Sequence, residues 1–153
     1  MKLKDILWVL FISMVPVIEL RGAIPVGAGL GIPWYICIAC AIVGNMLPVP
    51  FILLFVDKVF AFMKKHNILV KFIEKLEGKT AKNADKVLKY KQWGLLAFIA
   101  IPLPGTGGWT GSLFAALLGI DFKKALPIVA LGVFIADLIM SVVTYGAGAI
   151  FNF

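Results

Sequence analysis

Three ionisable side chains stand inside long apolar stretches of this sequence: Glu19, Arg21 and Asp137. A charged group at membrane depth costs at least ~2.5–3.5 kcal/mol, so it faces a cavity or a partner and is a functional candidate by default. The Glu19 and Asp137 carboxylates can take up and release protons, which makes both candidates for proton coupling. Arg21 stays charged, and its planar guanidinium can grip a phosphate or carboxylate with two hydrogen bonds. Glu19 and Arg21 lie in PVIELRGAIPVG, on what reads as irregular backbone, where they could instead neutralise each other. A second Pro/Gly-rich run, PLPGTGGWTGS, carries no charge but offers the Thr106, Thr110 and Ser112 hydroxyls and the backbone of Gly107 and Gly108. Successive N–H groups there, with a helix N-terminus near Trp109 to Ser112, form a concavity suited to an anion. We therefore take Arg21, Thr106, Gly107, Gly108, Thr110 and Ser112 as candidate substrate-binding residues. Pro25, Pro104, Gly105 and Trp109 support them by shaping the two turns. Asn45, next to Pro48 and Pro50, offers a polar group and a kink at the level of Asp137 in the other span.

Other residues that could do chemistry are poorly placed for it. Cys37 and Cys40 form a C-x-x-C, but within ICIACAIVG they read as small apolar packing residues rather than a redox pair. His66, the one histidine, sits in KKHN at a helix end and is given no role. No metal cluster, nucleophile–base pair or pair of catalytic carboxylates is visible, so the sequence reads as a non-enzyme with no cofactor and no metal.

The elements that must position these residues are membrane elements. The chain has 153 residues, 61% of them hydrophobic, and a mean hydropathy of +1.00. The uncharged stretch from Gly22 to Val56 alone exceeds the ~20 residues that cross a bilayer. One membrane domain is expected, with no room for an ATP-binding domain. The net charge of +7 does not indicate nucleic acid, because 10 of the 15 basic residues fall between Asp57 and Trp93. Basic loops of this kind stay in the cytoplasm and are drawn to anionic lipids.

Each Pro/Gly-rich run is flanked by apolar pieces too short to span, which predicts two re-entrant helical hairpins, each followed by a long span, residues 33–62 and 121–151. Displacing the chain by 88 residues superposes Pro16 on Pro104, Ala28 on Ala116, Leu30-Gly31-Ile32 on Leu118-Gly119-Ile120, and Gly44 on Gly132. The expected fold is thus all-α and integral to the membrane, with two inverted repeats, about 3–62 and 93–153. A cytoplasmic amphipathic helical linker, about 63–92, joins them, with Ile68, Leu69, Phe72, Ile73 and Leu76 on its apolar face and Gly78 ending its first half. Counting crossings puts both termini outside and predicts a multi-pass protein of the cell membrane. So few helices enclose little space, so a homodimer or larger assembly is expected.

At ELRGAIP and PLPGTGGW the chain resembles the family of small multidrug export proteins, which is similar to the DedA-type membrane proteins. The resemblance covers essentially the whole chain. It implies opposed re-entrant hairpins and, through the DedA-type proteins, proton-linked movement of a polyprenyl phosphate or phospholipid. DedA-type proteins place arginines near a Pro-Gly pair in the second hairpin, whereas here Pro104-Gly105 has no arginine beside it. The reading adopted at this stage is a proton-coupled transporter of an anionic lipid, with membrane lipids and protons as partners. The alternatives are a proton-coupled exporter of small hydrophobic drugs and a non-transporting membrane scaffold.

Overall fold

A computed structural model of the chain describes residues 3–16, 18–67, 84–103 and 106–151. Among them every regular element is a helix: α1 Leu3–Met14, α2 Glu19–Gly29, α3 Trp34–Met46, α4 Val49–Lys65, α5 Ala84–Ala100, α6 Gly108–Leu117 and α7 Phe122–Phe151. The stretches Trp34–Val56 and Phe122–Ile150 are long and apolar enough to cross a membrane. The proposed amphipathic helix around residues 68–76 and Gly78 lie outside the described residues, as do Pro104 and Gly105.

The helix breaks follow from local chemistry. Pro16 stops α1, since proline supplies no N–H to continue the ladder. The expected first span is divided at Leu47–Pro48 into α3 and α4, where Pro48 and Pro50 remove two donors within one turn. The α2 helix corrects a second expectation: Glu19, Arg21, Gly22 and Pro25 lie within it rather than on an irregular turn. Only Glu19 departs from helical backbone, with φ +46°.

The two short helices end alike. At the end of α2 Gly31 has φ +71°, its N–H donates to Ala28 O, and Ile32 N–H donates to Gly27 O, each at 3.0 Å. At the end of α6 Gly119 has φ +68°, its N–H donates to Ala116 O, and Ile120 N–H donates to Ala115 O, each again at 3.0 Å. This is the same Schellman cap twice, at the positions related by the 88-residue displacement.

Packing follows the same correspondence. Helix α1 lies on α3, and α5 lies on α7. Gly44 permits the first approach, since a Cβ there would stand 1.8 Å from Ser13 Oγ; Gly132 permits the second, since a Cβ would stand 2.7 Å from Ile99. Helix α2 packs on α7 and α6 on α4. The turn after α2 rests beside the C-terminal part of α7, where the Tyr145 hydroxyl donates to Ile32 O at 2.8 Å. The α6–α7 turn sits at the opposite end of α7, a 30-residue helix of about 45 Å at ~1.5 Å per residue. The core joining these helices contains Val9, Ile24, Leu95, Ile99, Val129 and Val133, all buried.

Candidate functional site

The polar residues meet where the α1–α2 turn faces the α5–α6 turn. Helix α6 has no capping side chain of its own at Gly107, so its first N–H groups need an outside acceptor. Glu19, only 3% exposed, supplies it: Oε1 accepts from the Trp109 backbone N–H at 3.2 Å. A carboxylate at a helix N-terminus is favoured by the helix dipole as well as by the hydrogen bond. Gly107 makes the approach possible, because a Cβ there would fall 1.3 Å from Glu19 Oε2. Position 107 is also the position that the 88-residue displacement pairs with Glu19. The amides expected to receive an external anion therefore hold a carboxylate of the chain itself.

Arg21 lies near enough to Glu19 for their charges to interact, but no hydrogen bond joins them among the described residues. The arginine reaches across to the other turn, where its guanidinium donates to Thr106 Oγ1. Thr106 Oγ1 in turn lies 2.8 Å from Ile101 O and 3.0 Å from Leu103 O, which can accept its one proton. The turns are tied a third time by Trp109, whose indole N–H donates to Met14 O at 2.9 Å. Glu19, Arg21 and Trp109 thus act as cross-links between two segments some 90 residues apart in sequence.

Several polar atoms at this junction are buried without a partner: Glu19 Oε2, Arg21 Nε, Thr110 Oγ1, and both amide atoms of Asn45. Asn45 lies against the start of α6, since a Cβ at Gly108 would stand 2.4 Å from its Oδ1. Ser112 is differently placed, with its hydroxyl donating to Gly108 O within its own helix. Asp137 takes part in none of these bonds. It is fully buried on α7, and neither carboxylate oxygen has a partner. Native interiors pair more than ~90% of such groups, so this concentration of unpaired atoms is unusual for a packed interior.

Of the residues singled out in the sequence, the structure brings Glu19, Arg21, Thr106, Gly107, Gly108, Trp109 and Asn45 to one junction, with Thr110 and Ser112 on the helix that leaves it. Pro25 stands apart, exposed on α2. It lines a cleft of about 960 Å³ with Ala28, Gly31, Ile32, Thr144 and Tyr145. That volume lies in the range of small-molecule sites, ~300–1,000 Å³, and the described lining carries no charge. Sequence reasoning missed this cleft and its Tyr145, and also Ser141, which lines a smaller neighbouring cleft. Their signal was the spacing 137, 141, 145, one face of a helix. Cys37 and Cys40 are free thiols. Cys37 is buried against Gly27, where a Cβ would meet its sulfur at 2.3 Å, which fits the packing role read from the sequence. Among the described residues no group of histidine, cysteine, aspartate and glutamate could hold a metal ion.

A family model described as "Putative small multi-drug export protein" matches residues 19–139. The match begins at Glu19 and takes in Asp137, so it contains the α5–α6 turn together with Glu19, Arg21 and Asp137. No curated protein and no solved structure matches the chain.

Proposed function

Because the chain belongs to the family of small multi-drug export proteins, we propose that it is a proton-coupled membrane exporter of small hydrophobic compounds. The observation that carries this reading is the state of the two carboxylates. Glu19 and Asp137 are both buried, both keep carboxylate oxygens without partners, and the one arginine is turned away to Thr106. Buried carboxylates with oxygens left without hydrogen-bond partners are suited to binding and releasing protons. The uncharged cleft beside the α2–α3 turn supplies a site for an apolar cargo.

In this reading the pairs α1–α2 and α5–α6 are re-entrant hairpins of two inverted repeats, entering from opposite faces and meeting at Glu19 and Gly107. The repeated glycine caps and the reciprocal packing support that arrangement. Protonation of Glu19 weakens its hold on the α6 amides, freeing the junction to rearrange; substrate exit and deprotonation restore it. The working unit is a homodimer or larger assembly, and the basic linker lies in the cytoplasm.

A second reading has one observation in its favour. Arg21 Nε has no partner, and the α6 amides become vacant when Glu19 withdraws, which together form a site for the phosphate of an anionic lipid. The deciding experiment reconstitutes the protein in liposomes with an imposed pH gradient. Proton flux that accompanies movement of a hydrophobic dye supports export. Movement of a labelled lipid phosphate without dye movement supports the lipid reading, and neither movement refutes transport.

A further inference from the structure

Asp137 is 0% exposed, and the junction of the two turns offers it no hydrogen bond. Along its own helix the next residues on the same face carry hydroxyls. Ser141 follows one helical turn later, with its hydroxyl buried and also without a partner. Tyr145 follows a turn after that, so the three share one face of α7. Ser141 and Tyr145 line a cleft of about 340 Å³ between α3 and α7, closed on its far side by Trp34 and Ile38. Tyr145 also borders the larger cleft beside the α2–α3 turn. From α3 the titratable group facing this track is Cys37, which interacts with both Tyr145 and Asp137. From α2 the charged groups are Glu19 and Arg21, both engaged with the other turn through Trp109 and Thr106.

Resting on the exporter reading above, we propose that Asp137 exchanges its proton with the outer side along the track Asp137, Ser141, Tyr145. The clefts at the α2–α3 turn are the outer mouth of this track. Two orphaned polar residues one turn apart are what a single relayed water would satisfy: Ser141 can donate to it or accept from it, and Asp137 can accept from it or protonate it. Tyr145 stands at the mouth with its hydroxyl proton committed to Ile32 O, leaving its oxygen lone pairs as acceptors. Access at this end and the Glu19 junction elsewhere give the molecule two carboxylates reached by different routes, an arrangement compatible with proton-driven export.

The test reads Asp137 directly. Dicyclohexylcarbodiimide adds to a protonated carboxyl in an apolar setting, and peptide mass spectrometry identifies the modified residue. In right-side-out membrane vesicles, labelling of Asp137 should fall as the external pH is raised at constant internal pH. In inside-out vesicles the same change of bathing pH should leave it unaltered. Ser141→Leu should slow the response to outside pH by about tenfold, as ~1.4 kcal/mol of added barrier would give. Should that variant fail to insert, Ser141→Cys in a chain lacking Cys37 and Cys40 should react with an impermeant thiol reagent added outside. Labelling of Asp137 that follows the inner pH, or neither pH, overturns the track, as does an unreactive Ser141→Cys. Outward-following labelling without any dye export leaves the track standing and removes the exporter reading instead.

Discussion

At the scale of residues, the site is a set of cross-links in which an internal carboxylate occupies the place of an external anion. Glu19→Gln keeps a carbonyl oxygen for the Trp109 N–H and removes the titration. It should make dye transport independent of pH while lowering stability by no more than about 1 kcal/mol, measured by thermal unfolding in detergent beside the liposome assay. Arg21→Lys keeps the charge but loses the planar fork. If anionic lipid is the cargo, this variant should weaken its recognition and leave the pH dependence intact. Gly107→Ala should be more damaging, because its methyl group must displace the Glu19 carboxylate; overpacking of this kind costs about 1–3 kcal/mol. Gly94→Ala is the matched control, since nothing lies within 4 Å of the added carbon. It should be neutral or stabilising by up to ~1 kcal/mol, as alanine is the better helix former. Glu19, Arg21 and Asp137 were legible in the sequence because a charge in an apolar run announces its own cost. Their partners were not: whether Arg21 turns to Glu19 or to Thr106 depends on how two distant turns approach. Ser141 and Tyr145 escaped for a different reason, since neither residue type is anomalous in an apolar helix until its burial and neighbours are known.

At the scale of elements, the most informative feature is the repeated cap after α2 and α6. The tripeptide Leu-Gly-Ile was visible twice in the sequence, and the structure supplies its meaning: the glycine takes a left-handed conformation and the isoleucine N–H closes the helix end. Both glycines have open space around the absent Cβ, so substitution there tests backbone conformation free of packing. Gly31→Ala and Gly119→Ala should therefore each destabilise by about 1–2 kcal/mol, and by similar amounts, with nearly additive loss in the double variant. Unequal losses would count against equivalence of the two helix ends. The start of α2 was not legible in the same way. Pro16, Gly22 and Pro25 suggested irregular backbone through Arg21, yet a proline in the second turn of a short helix leaves only one carbonyl open. The left-handed Glu19 is stabilised by a bond to another element. Sequence punctuation identified where helices break, while tertiary hydrogen bonds decided on which residue they resume.

At the scale of the whole molecule, orientation is the property that connects the site to transport. Lys89, Lys123 and Lys124 lie exposed at the end of α7 where α5 and the α6–α7 turn meet, and Lys91 there donates to Leu118 O at 3.0 Å. The opposite end, with the α2–α3 turn, residues 142–151 and the start of α1, exposes Trp34 and Tyr35 and has Lys4 and Asp5 as its described charges. We propose that the lysine end is cytoplasmic, as the positive-inside bias favours, with Tyr90 and Trp93 exposed toward that interface and Trp34 and Tyr35 toward the other. Tyr35→Cys, in a chain lacking Cys37 and Cys40, should then react with an impermeant thiol reagent applied to intact cells. Lys123→Cys and Lys89→Cys should react only after the membrane is opened. The same orientation puts the mouth of the Asp137 track outside and leaves Glu19 at the depth where the two turns meet. Protons admitted at the outer mouth would thus reach one carboxylate without passing the other, and coupling would depend on the turns separating. Labelling of Lys123→Cys in intact cells would invert the molecule, place that mouth in the cytoplasm, and turn the proposed exporter into a device for uptake.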